Sequence, residues 1–410
     1  MDIRSVTLFC KETDVSNIKT VSKLTNLSRE ARNSFPFPVQ SIRVATPPFP
    51  NWWPTKATDT EAVSQHAQRI ERQFQQTINP DYISFGPVQL DHNSDWLHAI
   101  PAIIASSKVL FASAEIADPN GRIDLQRCYA LAQTIQQIST LPQHPDGFGN
   151  LYLTAIANCA PGSPFFPVSY HHGGDPHFAI AVESADLALQ AIQSARTLAE
   201  ARQNVIDTIE TAASKLTQAA QILAQKYNIP FSGIDFSFAP YPEDEKSLAG
   251  AMEALGIPHV GAQGSLFAAG FITEAIERAN FPRCGFSGLM LPVLEDSVLA
   301  KRTAEGVLTI QDLLSYSAVC GVGLDTIPLA GDVSAEQLTA VLADIAMLAT
   351  RLNKPLTARL MPIPGLHVGD PTSYDFPYFA NSHVMPIVGD GVRGLIRKDE
   401  QISINKINKG

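Results

Sequence analysis

Short runs of apolar and β-branched residues alternate along the chain with longer stretches whose apolar positions recur at steps of three and four. IRSVTLF, SIRVAT, DYISFGPV and VLFASAEI are of the first kind, and LYLTAIANCA and HFAIAVES continue the series. Between them, residues 15–32, 59–77, a segment near Asp95 and residues 122–138 carry the helical period. Strands that are apolar almost throughout, separated by helices, predict a mostly parallel sheet covered by helices. Residues 184–227 break the rhythm. They hold neither Pro nor Gly, and Ile192, Ala195, Leu198, Val205, Ile209, Ala212, Leu216 and Ala219 form one stripe. That stripe predicts one long helix, or two abutting helices, packed on a core. Beyond it GIDFSFAP, GFSGLMLPV, GLDTI and PLTARLMPI read as strands, and residues 246–255, 265–279, 310–318 and 334–352 as helices. The fold class is therefore α/β: a large ten-stranded α/β barrel in one domain over residues 1–387, with an open doubly wound sheet as the alternative. After Ile387 the apolar period lapses, and residues 388–410 are expected to form a peripheral, loosely held C-terminal tail.

Composition narrows the class without naming a substrate. The chain has 410 residues, 45% hydrophobic and 17% charged, with a formal net charge of -10 and no block of Lys or Arg. Nucleic acid and anionic membrane are poor partners for such a surface. The start, MDIRSVTLFCKETD, reads as a strand and lacks the basic and apolar regions of a signal peptide. The most apolar stretch, residues 97–117, is interrupted by Pro101 and Lys108, short of the ~18 residues a spanning helix needs. Cys10, Cys128, Cys159, Cys284 and Cys320 are odd in number and widely spaced, which argues against a disulfide framework and for a cytoplasmic location.

Candidate chemistry gathers in a few stretches. SAVCGVGLDTIPLAGD, residues 317–332, sets Cys320 beside Gly321 and Gly323 and ahead of Asp325 and Asp332. Glycines let backbone N–H groups approach a ligand, and such a loop favours the thiolate that a nucleophile needs. The competing reading is a buried packing cysteine. SYHHGGDPHFA brings His171, His172, Asp175 and His177 within seven residues, the ligand types of zinc, manganese or iron. Their spacing matches no standard metal motif, so the main reading is no metal, with these four as the alternative ligand set. A hydrogen-bonding or acid/base role for His171 is preferred. Lys354 and Arg359 are cations on a strand, where a charge must be paired or face a cavity, so both are candidate anion-binding groups. Asp235, the run Glu243, Asp244 and Glu245, and the pair Glu295 and Asp296 follow strands, where parallel α/β folds build their sites. Asp235 is the candidate substrate contact among them; the others also suit helix N-termini. Gly264 and Ser265 open a helix whose free N–H groups can hold a carboxylate or phosphate, against which a plain helix cap competes. Asp370, Asp375, Tyr378 and Asn381 form a polar-aromatic loop, a lid or a closing belt. No nucleotide fingerprint and no GxSxG elbow is present.

SIRVATPPFP, DYISFGPV, PGSPFFPVSYH, GIDFSFAPYPEDEKSLAGAMEALG, GFSGLMLPVLED, LLSYSAVCGVGLDTIPLAGD and LNKPLTARLMPIPG occur in this order. Together they resemble an uncharacterised bacterial and archaeal family, domain of unknown function seven hundred and eleven, over residues 1–387. The resemblance implies the pyruvate formate-lyase-like barrel of glycyl radical enzymes: two five-stranded halves with a cysteine-bearing hairpin threaded inside. It makes residues 317–332 the candidate inner loop, and it extends to only the Tyr170-His171 start of the histidine loop. A glycyl radical needs a C-terminal Arg-Val-x-Gly-Tyr loop. GVRGLIR, residues 391–397, lacks the Tyr and the order, and Cys320 has no adjacent cysteine. No glycyl radical is expected, and Gly394 is expected to carry no function.

The resulting expectation is a non-radical enzyme, a lyase or hydrolase, acting on a small anionic or carbonyl metabolite. Cys320 would be nucleophile or proton donor, His171 and Asp325 acid/base groups, and Arg359 the anion clamp. A metal-dependent hydrolase or lyase on the HHGGDPH loop, and a non-catalytic ligand-binding or regulatory protein, are the alternatives. The expected partner is a small-molecule ligand, with neither nucleic acid nor membrane. A homo-oligomer and a divalent metal cofactor stay open.

Overall fold

In the structure, a computed structural model that describes residues 1–397 and 401–407, the alternating pattern closes on itself. The strands are β1 (Asp2–Phe9), β2 (Ile42–Pro48), β3 (Tyr82–Gly86), β4 (Leu110–Ala117), β5 (Arg122–Asp124) and β6 (Leu153–Ala157). They continue with β7 (His177–Glu183), β8 (Phe231–Ala239), β9 (Gly323–Ala330), β10 (Leu356–Ile363) and β11 (Gln401–Ser403). β1, β2, β3, β4 and β6 lie side by side and parallel. β7 is parallel to β8, and β9 to β10. β1 runs antiparallel to β7, from Asp2 opposite Glu183 to Phe9 opposite His177, and β6 runs antiparallel to β10. The remaining gap, between β8 and β9, is filled by residues 282–293. Arg283 bridges Ile234 of β8 and Pro292 bridges Asp325 of β9, both in the parallel sense. The result is a closed α/β barrel of ten staves in two opposed halves of five. The bridging segment rules out the open sheet.

GFSGLMLPV, read as a strand, therefore holds a stave's place without a stave's regular ladder. Gly285 and Ser287 have φ of 61° and 44°, outside the strand region, and Pro292 has no N–H to donate. Side chains take over the pairing. Asp235 accepts from the N–H groups of Phe286 and Ser287, and Ser237 accepts from Gly288.

The helices cover the outside. Val6 and Leu8 of β1, and Ala112, Ala114 and Ile116 of β4, join the large core beneath them. Alternate positions on the same strands are polar and buried: Ser5 and Thr7, Ser113 and Glu115. Such residues need partners inside the barrel, and several find them on residues 158–176, the connection between β6 and β7. Ser5 and Thr7 donate to the carbonyl of Pro164 at 3.2 and 2.9 Å. Ser84 donates to the carbonyl of Ser169 at 2.8 Å, and His171 N–H reaches Thr46 O. Phe165, Val168 and Tyr170 of this loop pack with Ile156, Ala181, Ala239, Met290 and Val322 into a second, interior core. The inner loop is thus residues 158–176 and not 317–332. In the latter, Ser317 ends the helix Ile310–Ser317, and Gly323–Ala330 is the stave β9 itself.

Two further expectations are refined. Residues 184–227 form two abutting helices, Ala185–Gln193 and Leu198–Tyr227, the second capped by Thr197. Residues 401–407 of the tail are held more firmly than its lost periodicity suggests: β11 pairs with β5, and the N–H groups of Ile404 and Ile407 reach the carbonyls of Gly121 and Arg351. Among the described residues no helix is long and apolar enough to cross a membrane.

Candidate functional site

A cavity of about 240 Å³ lies where the first five parallel staves begin. Because the halves are opposed, the same barrel end collects the end of β8 and of the closing segment, with Asp325 and Arg359 entering from the first half of β9 and β10. Strand starts supply Arg4, Arg43, Tyr82, Phe111 and Tyr152; the other half supplies Ala239, Met290, Asp325 and Arg359. Phe165 and Phe166 of the inner loop form part of the wall, and Phe376 and Tyr378 complete it. The expectation that strand C-terminal ends build the site thus describes only part of it.

One side of the cavity is a chain of alternating charges. Arg4 binds Glu183 and Glu295, each at 2.9 Å. Arg359 binds the other oxygen of Glu295 at 2.9 Å and Asp325 at 2.5 Å. Burial works against both guanidinium charges, yet Glu295, together with Glu183 for Arg4 and Asp325 for Arg359, raises them above the ordinary arginine value. Arg4 also lies over the Tyr378 ring, 5.0 Å from its centroid.

Arg43 is different. It is 9% exposed, and its Nε donates to Ser41 Oγ at 2.9 Å. Among the described residues no carboxylate lies within ion-pair distance of it. Its guanidinium sits instead 5.0 Å from the Phe166 ring centroid and 5.6 Å from that of Tyr82. Burial, and then the neighbouring Arg4 charge, pull it down to about 9. A buried cation in this state gains from any anion that enters. The sequence carries the signal for it: SIRVAT places an arginine in an otherwise apolar strand, as PLTARLMPI does with Arg359.

The candidates named from sequence fall in several places. Asp325 and Arg359 come together on the cavity wall, joined by Glu295. Cys320 is 1% exposed, lies in the helix-covered core just before β9, and does not line the cavity. Burial raises its thiol, with Lys354 opposing. Gly323, with φ of 101°, lets β9 approach β10, since a Cβ there would stand 2.2 Å from Thr357 O; Gly321 lies against Gly288 of the closing segment. Lys354 donates to the carbonyls of Ser317 and Ala318, closing the end of that helix rather than holding an anion. Asp235 is fully buried and spent on the closing segment. Gly264 and Ser265 form an ordinary helix start: Ser265 Oγ accepts from Gly261 N–H and donates to Ala262 O. Asp296 accepts from four backbone N–H groups at two helix starts, while its neighbour Glu295 faces the arginines. Glu243 pairs with Lys246, and Asp332 is exposed beside His367. Asn381 ties the 370–381 loop by bonds to Thr372 and Tyr374, which sets Tyr378 at the cavity rim. Gly394 is exposed on a short turn. His171, His172 and His177 converge at the opposite barrel end, without Asp175. Among the described residues no cysteine and no histidine lines the cavity.

A family model described as "Uncharacterised ACR (DUF711)" matches residues 1–376. A "UPF0210 protein" of Caldicellulosiruptor saccharolyticus is 27% identical over 98% of this chain and 94% of its own length. Another, from Pyrobaculum aerophilum, is 37% identical over 52% of this chain and 50% of its own. Among solved structures an "Anaerobic ribonucleotide reductase" covers 87% of this chain and 70% of its own, at 8% identity and a TM-score of 0.44.

Proposed function

Taking as premise that the chain belongs to the DUF711 family, which is uncharacterised, we propose that it takes up a small organic anion with a flat or apolar body in the barrel cavity, and that Arg43 is the clamp. The observation that carries this reading is the unpaired, nine-tenths-buried guanidinium between aromatic faces. With Nε on Ser41, a carboxylate can take the two Nη groups at the end of the fork, and Tyr82, Phe111, Tyr152 and Phe166 offer faces and edges to a planar body. The volume admits a metabolite, not a polymer.

Any reaction on that ligand is a non-radical one in this reading, and its proton carriers are Glu295 and Asp325. Both line the cavity beside Arg43, and Arg359 holds both in position. Cys320 and His171 are not used, since neither lines the cavity. The test is thermal-shift and calorimetric screening of small carboxylates, with aromatic and aliphatic bodies, against the wild type and Arg43→Met. A ligand should raise the wild-type melting temperature and lose at least tenfold in affinity with Arg43→Met. Turnover of that ligand, abolished by Glu295→Gln or Asp325→Asn, would mark an enzyme; binding without turnover would mark a sensor. If Arg43→Met binds every hit as tightly as the wild type, the cavity reading fails.

A further inference from the structure

At the other end of the barrel the inner loop leaves the interior and becomes β7, and three imidazoles meet there. One nitrogen from each of His171, His172 and His177 lies within 4.8 Å of the others. The hydrogen bonds around them set the tautomers. His171 Nε2 lies 3.1 Å from the carbonyl of Gly174, which can only accept, so Nε2 carries the proton and Nδ1 a lone pair. That Nδ1 is buried and has no partner, in a side chain with no exposure. His177 Nδ1 lies 3.3 Å from the carbonyl of Asp175, which leaves its Nε2 as the lone-pair nitrogen. A metal-binding histidine characteristically donates its other N–H to a carbonyl in this way. The His177 ring is also fixed by stacking on Phe9, with centroids 4.6 Å apart and planes within 8°. His172 is exposed, and Gly174 leaves room for it: a Cβ at Gly174 would stand 2.5 Å from His172 Nε2.

We propose that His171, His172 and His177 bind one divalent first-row transition ion, Zn²⁺ by preference, with water as fourth ligand, and so clamp the inner loop to the seam between β1 and β7. An all-imidazole set suits Zn²⁺, Ni²⁺ or Cu²⁺ and not Mg²⁺ or Ca²⁺, which demand oxygen. A tetrahedral ion with bonds of ~2.0–2.1 Å needs ligand nitrogens roughly 3.4 Å apart. The three nitrogens lie within 4.8 Å of one another, and the exposed His172 is the ligand with most freedom to adjust toward that spacing. Lys11 is the neighbouring cation that opposes the ion.

The experiment strips the full chain with a chelator and titrates it with Zn²⁺ by calorimetry and with Co²⁺ by visible absorption. Expected are about one equivalent per chain and the intense visible bands of four-coordinate cobalt. His172→Ala removes an exposed side chain and should leave the fold intact while weakening binding by at least tenfold, as should His177→Ala. The exposed His98, replaced by alanine, is the control and should bind as the wild type does. Affinity no tighter than millimolar in the wild type, or undiminished affinity in His172→Ala, overturns the proposal. Binding that persists in Arg43→Met separates this site from the cavity.

Discussion

Replacing Arg359 by methionine would leave Glu295 and Asp325 in the barrel wall without the guanidinium they share. Removing one member of a buried ionic set typically costs ~3–5 kcal/mol, because the remaining charges keep their desolvation penalty. Arg43→Met should behave oppositely. It removes a charge that no carboxylate compensates and leaves apolar volume against Phe166 and Tyr82. The expected outcome is neutral to about 2 kcal/mol more stable in the ligand-free protein. Urea unfolding of the two variants beside the wild type checks this; equal losses in both would mean Arg43 is an ordinary structural cation. At this scale the sequence was partly legible. A cation inside an apolar strand announces either a pair or a cavity, and Arg359 turned out to have both. A cysteine beside glycines announces nothing by itself. Glycines around Cys320 serve backbone approach to β10 and to the closing segment, and the thiol packs in the core. Spacing along the chain carries no information about whether a short side chain faces a cavity or a helix.

The stave made of residues 282–293 depends on side-chain bonds that replace a ladder, and one glycine makes them possible. A Cβ at Gly285 would stand 2.0 Å from Asp235 Oδ2, the oxygen that accepts from Phe286 N–H. Gly306 provides the comparison. Its φ of 71° is close to the 61° of Gly285, yet a Cβ there would meet nothing within 4 Å. Gly306→Ala should therefore cost only the left-handed penalty, ~1–2 kcal/mol. Gly285→Ala adds the collision with Asp235 and should cost at least ~1 kcal/mol more. It should also speed hydrogen exchange at Phe286, Ser287 and Gly288 selectively. Equal costs at the two positions would show that the closing segment does not rest on Asp235. The regular strands and helices were legible because their periods of two and 3.6 are local. The closing stave was legible as an apolar run, but its irregular pairing was not. The inner loop was missed for a related reason: PGSPFFP has no period. Its trace lay elsewhere, in Ser5, Thr7 and Ser84, hydroxyls on otherwise apolar strands that meet its carbonyls.

At the scale of the molecule, neither half of the barrel has a closed surface of its own. Each ends in a seam strand, β1 or β6 on one side and β7 or β10 on the other, whose free edges would be open without the partner half. The inner loop adds a second tie, since it belongs to the connection between halves and bonds to β1 and β3 from within. Unfolding one half should therefore expose the other's edge and interior together, and the chain should unfold as one cooperative unit despite its length. The distribution of tryptophan makes this measurable. All three, Trp52, Trp53 and Trp96, lie beside β2 and β3 in the first half, packed with Phe49 and Phe85. The longest helix, Leu198–Tyr227, covers the second half and adds heavily to the far-ultraviolet circular dichroism. Fluorescence thus reports the first half and dichroism the whole. In guanidinium titrations the two curves are expected to coincide within error, with one midpoint and one slope. A fluorescence transition that precedes the dichroism, leaving a plateau of helical signal, would show that the second five staves hold together without the first. The seams would then be interfaces between two folding units rather than the inside of one.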